Sequence, residues 1–410
     1  MDLLSFLSPS SERDRFARKV IQRLRVRGWS GPEPTLDRDS YALRFQNGDT
    51  LFLENALTAW SRAKGIEKGR QIDIAIGYLF EAHPNGSFEE AKPYLLPVIR
   101  NRARLTNFWL TPEHADVRGA YDVAMRPICD DLALLVAIDS ATSIELLNNE
   151  TLEKWDVALD QTVAAAVENL RAISTCKFVR DPGGFWVSDF KDHHDASRLM
   201  LPHLFDQLEL KGEPVVVALD RACLVAAGAA DAEALGALAS SCAKNAFSTD
   251  RSISCLPMVW RDRAWQPFVP EKPNREAFQR LRVRQSIQDY TEQQALLEQH
   301  NAASGADIYV ADVDAVKGED RVDTWATWAN SVDTLLPKVD VVALANSEKE
   351  HRPRFWSDIE TEFGPFTPEP DLYPPRYRLR QWPANAWERA ERLAQPDWAA
   401  TLATDTQSPS

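Results

Sequence analysis

The sequence is poor in glycine, with 16 glycines in 410 residues. It contains no Walker A loop, and no Gly-x-Gly-x-x-Gly motif follows a predicted strand. Glycine-rich turns of these kinds cradle nucleotide phosphates in P-loop and Rossmann proteins, so we expect neither type of site. The Gly-x-Ser-x-Gly motif of a nucleophile elbow is missing as well, and no serine or cysteine nucleophile is predicted.

Cysteine and long apolar runs are also scarce. The five cysteines are odd in number, form no Cys-x-x-Cys pair and often have apolar neighbours, which is typical of free thiols in a reducing compartment. The longest apolar run, 132–138, is far shorter than the roughly 20 residues that span a bilayer. Asp2 places an acid where a secretory signal needs positive charge. We therefore expect a cytoplasmic protein.

The chain has fewer basic than acidic residues, with 47 lysines and arginines and 61 aspartates and glutamates, which gives a net charge of −14. A general attraction to nucleic acid or to anionic lipid is not favoured by this charge, so the predicted partners include neither nucleic acid nor a membrane. One segment, 12–29, predicts a basic amphipathic helix. Such a helix can bind a membrane surface or an acidic partner, but the excess of acids elsewhere favours a solvated helix packed on its own domain.

The pattern of short strands and helices predicts an α+β fold. The Asn47-Gly48 pair between two apolar segments predicts a β-hairpin inside an N-terminal helical unit. From about residue 130 strands alternate with helices, including a helix over 196–210, and the order strand–strand–helix occurs twice, over 215–246 and 253–302. We predict an antiparallel or mixed sheet built from repeated strand–strand–helix units. The predicted divisions are a helical unit with the hairpin (1–125), a central α+β domain (126–305), a C-terminal strand and Pro/Trp-rich segment packed on the sheet (306–399) and a disordered tail (400–410).

Residues 129–270 carry an ordered series of features. Cys129-Asp130-Asp131 opens an apolar strand, Ala166-Val167-Glu168-Asn169-Leu170 stands near the end of a helix, and Ala196-Ser197-Arg198-Leu199-Met200-Leu201 begins another. The series resembles a bacterial family known as domain of unknown function 1444, although Asp220-Arg221 inverts that family's usual Arg-Asp order. The resemblance implies a cytoplasmic bacterial protein without an established activity, and it supplies no catalytic residues.

One local cluster has the side chains of a metal site. Asp189, Asp192, His193 and Asp195 are four residues whose side chains can hold a divalent metal, and a bound metal could activate water for hydrolysis. The alternative is a helix start, at which Asp192 or Asp195 caps the helix that begins at Ala196.

The C-terminal quarter is rich in aromatic residues and arginine, which are typical anchors of protein interfaces. The residues predicted to form such an interface are Trp356, Tyr373, Arg376, Tyr377, Arg378 and Trp382. Packing of the same side chains in a core is the alternative. From these patterns we predict a non-catalytic protein-binding or accessory factor with no cofactor, and as an alternative a metal-dependent hydrolase that uses the Asp189–Asp195 cluster.

Overall fold

The fold is taken from a computed structural model, which describes residues 12–38, 41–46, 50–80, 86–111, 122–140, 144–245, 252–348 and 350–399. The turn of the predicted hairpin at 47–49 and the predicted disordered tail at 400–410 lie outside the described residues.

The described residues contain eleven α-helices. They are α1 (Glu12–Val26), α2 (Glu54–Arg62), α3 (Ile66–Gly77), α4 (Phe88–Ala91), α5 (Arg102–Leu110), α6 (Asn149–Trp155), α7 (Leu159–Ala172), α8 (Ala232–Asn245), α9 (Arg275–Ser304), α10 (Trp356–Phe363) and α11 (Ala386–Glu391).

The same residues contain twenty strands. They are β1 (Thr35–Asp37), β2 (Ala42–Arg44), β3 (Thr50–Phe52), β4 (Leu95–Asn101), β5 (Met125–Pro127), β6 (Leu132–Asp139), β7 (Ile144–Leu146), β8 (Phe178–Arg180), β9 (Trp186–Ser188), β10 (Pro214–Asp220), β11 (Cys223–Gly228), β12 (Met258–Arg261), β13 (Ala264–Pro267), β14 (Tyr309–Val310), β15 (Asp314–Lys317), β16 (Val322–Ala329), β17 (Thr334–Pro337), β18 (Val341–Ala345), β19 (His351–Phe355) and β20 (Arg376–Leu379). Helices and mostly antiparallel sheets of this kind make an α+β fold, as predicted.

The chain divides into two compact units. Unit 1 comprises 1–96, 119–122 and 137–166, and unit 2 comprises 97–118, 123–136 and 167–410. Unit 2 therefore continues across the predicted boundary at residue 305.

Unit 1 is built on an amphipathic α1. Phe16, Val20 and Leu24 recur at helical spacing and are buried against Leu43 of β2 and Ile76 of α3. The strands β2 and β3 pair antiparallel, as the hairpin prediction requires, and β1 adds to the free edge of β2. The apolar stripe of α1 thus packs on its own unit, and most of the basic residues of α1 are exposed.

The first core of unit 2 lies on a six-stranded antiparallel sheet in the order β13–β12–β10–β11–β9–β8. Alternating residues of β10 and β11, such as Val217 and Val225, face α8 and the first turns of α9. Leu238 of α8 and Phe278 of α9 cover this face and are almost fully buried.

The second core of unit 2 lies between the C-terminal sheets and the middle of α9. One sheet has four strands in the order β15–β16–β18–β19, and the other has three in the order β14–β17–β20. Trp328, Trp356 and Tyr377 pack in this core together with Tyr290 of α9. A single 30-residue helix therefore contributes to both cores.

A predicted helix differs from the structure. The segment 196–210 is two short 3₁₀ helices, Ala196–Met200 and Pro202–Gln207, instead of one α-helix. Pro202 has no backbone N–H and its ring clashes with the preceding turn, so a continuous helix breaks there. Of the helices that the structure describes, none is long and apolar enough to cross a membrane.

Candidate functional site

The loop that carries the predicted metal ligands is organised around a buried arginine. The side chain of Arg198 is fully buried, and its guanidinium donates to both carboxylate oxygens of Asp192, at 3.0 and 2.7 Å. Asp192 also accepts from the backbone N–H of His194 at 3.0 Å. Partial burial acts to raise the pKa of Asp192, but the bonds from Arg198 and His194 outweigh it and hold the pKa below its usual value. Asp192 is therefore committed to neutralising Arg198.

The other predicted ligands do not gather round Asp192. Asp189 is half exposed and pairs with Lys191 at 3.3 Å. The side chain of His193 is exposed, and its backbone is in the left-handed region with φ of +63°. Asp195 is buried, and its Oδ1 accepts weakly from Phe190 N at 3.4 Å. Among the residues that the structure describes, no group of three or more His, Cys, Asp or Glu side chains could hold a metal ion. The metal site stays a prediction that this geometry does not support.

The six predicted interface residues fall into two sets. Trp356, Arg376 and Tyr377 are buried, at 6%, 0% and 5% exposure, so they cannot present a surface to a partner. Their aromatic rings pack on each other, with 5.0 Å between the centroids of Trp356 and Tyr377. For these three residues the interface prediction is wrong, because the apolar and aromatic side chains fill the second core of unit 2.

The remaining predicted interface residues reach solvent. Arg378 pairs with Asp333 at 2.8 Å and keeps about a third of its side chain exposed, at 34%. Trp382 is half-buried and stacks on Trp387 with 5.8 Å between ring centroids. Tyr373 is half-buried beneath the guanidinium of Arg102, which lies 3.9 Å from its ring centroid.

Arg376 has a different role from the predicted one. Its guanidinium donates to Gln293 Oε1 at 2.7 Å, to the carbonyls of Ala311 and Leu335 at 2.7 and 3.0 Å, and to the carbonyl of Tyr290 at 3.3 Å. Burial lowers the pKa of Arg376 to about 10, so the side chain remains charged at neutral pH. One side chain thus ties α9, β17 and the segment after β14 to β20.

A buried acidic centre lies elsewhere in unit 2. Asp131 and Asp289 are 4% and 7% exposed, and each receives hydrogen bonds from neutral side chains. Asp131 accepts from Gln285 Nε2, and Gln285 Oε1 in turn accepts from the Cys255 N–H at 2.8 Å. Asn101 of β4 donates to the Ile253 carbonyl at 3.0 Å and counteracts the rise in the pKa of Asp289. The centre therefore joins β4, the start of β6 and the segment after residue 252 to α9.

The electrostatics of this centre favour the protonated acids. Burial raises the pKa of Asp131 above its ordinary value despite the bonds from Ser254 and Gln285. Burial, and then the negative charge of Asp131, raises the pKa of Asp289 well above its ordinary value. Burial disfavours the charged form of each acid, and a charge on one acid disfavours a charge on the other.

The sequence contained a signal for this arrangement. Gln285, Asp289, Gln293 and Asn301 recur at multiples of four residues and are all buried along α9. A polar stripe at helical spacing is usually a solvated face, so the spacing alone does not indicate burial. Here each amide or carboxyl in the stripe bonds to a different segment of the fold.

An exposed surface lies at one end of the sheet β14–β17–β20. Tyr309 and Val332 are 41% and 36% exposed, and the Tyr309 N–H donates to the Asp333 carbonyl at 2.9 Å. The Asp333 carboxylate lies 2.8 Å from Arg378 and 3.9 Å from Arg380. The side chain of Arg380 is 74% exposed. We call Tyr309, Val332, Asp333, Arg378 and Arg380 the Arg378 surface.

Comparisons of the chain with protein-family models, with curated proteins and with solved structures find no match. The resemblance to the family of unknown function stays a prediction.

Proposed function

We propose that the protein is a non-catalytic factor that binds a protein partner through the Arg378 surface. The observation that carries the proposal is the meeting of two arginines on one aspartate beside an exposed tyrosine and an exposed valine. Tyrosine and arginine are enriched at the energetic centres of protein interfaces, because each combines an apolar body with directional hydrogen bonding.

The backbone of β20 supports this assignment. Leu335 lies opposite Arg378, and the Leu335 carbonyl accepts from Ala311 N on the other side of β17. In an antiparallel pair, the N–H and C=O groups of two opposed residues either all point toward the partner strand or all point away from it. Because the Leu335 carbonyl points away from β20, the N–H and C=O of Arg378 point away from β17. The Arg376 carbonyl, two residues earlier, points to the same outer side and accepts from Glu369 N at 2.8 Å. At Arg378 that outer edge borders a shallow pocket lined by Glu369 and by 378–381.

An edge of this kind fits an extended segment of the partner. Such a segment would add to β20 at Arg378 through main-chain hydrogen bonds, and the side chains beside the edge would select its sequence. Arg380 is the most exposed cation of the surface, so an acidic residue in the added segment would complement it.

The test is quantitative affinity capture with matched variants. The immobilised protein is compared with Arg378→Ala/Arg380→Ala and with the control Arg171→Ala/Arg180→Ala, which removes two exposed arginines elsewhere in unit 2. We expect a protein that the native chain and the control retain at physiological salt and that the Arg378 variant retains at least tenfold less. The partly exposed ion pair contributes little to stability, so the thermal midpoint should change little.

Two results would contradict the proposal. One is that no protein is retained specifically by the native chain. The other is that the control loses as much binding as the Arg378 variant, which would show a response to net charge instead of to this surface.

A further inference from the structure

The charge of the chain is unevenly distributed. Residues 12–80 contain 13 lysines and arginines against nine acidic residues, a net charge of +4 in a chain whose total is −14. Most of the basic residues of this segment lie in α1, in α3 and around the turn between α2 and α3. This local positive charge acts on nearby ligands independently of the negative charge elsewhere in the chain, because salt at physiological strength screens charges beyond about 8 Å.

Two of these cations lie against the ring of one tryptophan. The ammonium of Lys68 lies 3.8 Å from the ring centroid of Trp60, and that of Lys19 lies 5.9 Å from it. Trp60 is near the end of α2, so α1 and α3 each bring a lysine to the same ring. Cation–π contacts of this kind hold the ammonium groups close together at the surface.

Further cations follow Trp60 along the chain. Arg62 and Lys64 are exposed and form no ion pair with another described residue. The acid that follows, Glu67, is paired with Arg70 at 3.8 Å and accepts from Gln71 at 2.9 Å. The positive charge of Arg62 and Lys64 is therefore not neutralised within the described part of unit 1.

An apolar side chain protrudes from the middle of this cluster. Ile66 is 95% exposed at the first residue of α3, between Lys64 and Lys68. A branched aliphatic side chain of this exposure has almost no contact with its own unit. We call Lys19, Trp60, Arg62, Lys64, Ile66 and Lys68 the Trp60 patch.

We propose that the Trp60 patch docks unit 1 on an anionic membrane surface, with Ile66 inserted among the lipids and the four cations held at the phosphates. A protruding isoleucine needs a matching pocket in a protein partner, but any bilayer interface accepts it. Basic residues around an apolar anchor are the combination that binds acidic leaflets. The association is peripheral and independent of the Arg378 surface.

This proposal departs from the expectation that the negative total charge keeps the chain away from membranes. That expectation averages over the whole sequence, whereas a leaflet acts on the residues within about a Debye length of it. Most basic residues of α1, Lys19 among them, also remain exposed after its apolar stripe is buried.

The test is co-sedimentation of the full chain with vesicles of phosphatidylcholine containing about 30 mol% phosphatidylserine, beside vesicles of phosphatidylcholine alone. We expect binding to the acidic vesicles only, weakening as salt rises from about 50 to about 200 mM. Arg62→Gln/Lys64→Gln should reduce the partition coefficient about thirtyfold, since each basic residue contributes about 1 kcal/mol at an acidic surface. The matched control Lys177→Gln/Arg180→Gln removes the same charges from unit 2 and should bind as the native chain does.

A third variant tests the apolar anchor. Ile66→Ser should lower binding about five- to tenfold while leaving the salt dependence unchanged, because it removes an apolar contact and no charge. All variants alter exposed side chains, and unchanged thermal unfolding would show that they fold.

Three outcomes would overturn the proposal: no binding to acidic vesicles at low salt, equal losses in the control and in the Arg62 variant, or native binding by Ile66→Ser. Retention on immobilised polyglutamate without vesicle binding would identify an acidic protein segment as the ligand and would also overturn it.

Discussion

Replacement of Arg376 by methionine should destabilise unit 2 by about 2–4 kcal/mol. The side chain is fully buried and donates to acceptors on α9, on β17 and after β14. Methionine fills a similar volume but donates no hydrogen bond. The loss of stability therefore comes mainly from the lost hydrogen bonds and not from a cavity.

The magnitude follows from which acceptors are left without a donor. The Leu335 carbonyl keeps its bond from the Ala311 N–H, at 3.2 Å. The Ala311 carbonyl and Gln293 Oε1 receive no other hydrogen bond from the described residues. A buried acceptor without a partner costs about 1–3 kcal/mol, so two cost about 2–6 kcal/mol. Removal of the buried charge recovers part of this amount, which places the expected loss at the lower end of the range.

The assay is urea unfolding followed by tryptophan fluorescence, to which Trp328 and Trp356 of the same core contribute. Arg376→Lys keeps the charge but not the planar fork, and it should fall between the native chain and the methionine variant. The control Arg180→Met changes an exposed arginine and should lie within about 0.5 kcal/mol of the native chain. If Arg376→Met were as stable as this control, the bonds of the guanidinium would not hold these segments together.

Two further predictions concern the partly buried Asp192 and the buried Asp289. Asp192→Asn should cost about 3–5 kcal/mol at neutral pH, because it leaves the buried Arg198 guanidinium without its counter-charge. The pKa of Asp192 is lowered in the fold, so its stabilisation is present above its ordinary pKa and is lost as the pH falls through the folded value. Urea midpoints of the native and variant chains should therefore converge on acidification, and parallel pH profiles would contradict this. Asp289→Asn should have the opposite signature, because a raised pKa favours the fold below the ordinary value and the advantage is lost as the pH rises through the folded one. We expect the native urea midpoint to decrease relative to that of the variant as the pH rises, and a native chain that gained stability over this range would refute the assignment.

Elements with a strong local signal could be predicted from the sequence. The Asn47-Gly48 pair predicted a hairpin, and β2 and β3 pair in that position. The apolar segments of β10 and β11 pair with each other as predicted, because each is bounded by polar turn residues. The second strand–strand–helix segment, predicted over 253–302, contains β12, β13 and most of α9, which ends at Ser304.

The prediction of one helix over 196–210 is wrong, because the apolar spacing is helical but Pro202 prevents a continuous helix. The helical segment 149–172 is divided into two helices for a similar local reason. Asp156 has φ of +53° and ends α6, and α7 then begins at Leu159. Single residues that stop a helix count for more than the periodicity on either side of them.

The candidate site was harder to predict because burial is a property of the tertiary fold. Trp356 and Tyr377 belong to residue types that are common at protein interfaces, yet both are buried in a core. Asp131 is separated from its partner Gln285 by 154 residues, and no local pattern connects the two. The cations of the Trp60 patch are likewise dispersed over three elements, so their convergence on one ring appears only in the structure.

The position of α9 constrains how this protein can be rearranged. Phe278 and Leu281 belong to one core, and Tyr290 of the same helix belongs to the other. A chain cut after residue 305 would keep the helix but remove the partners of its second half. Residues 167–305 and 306–399 are therefore not separable modules, and a fragment that ends at residue 305 would expose the apolar side chains of the second half of α9.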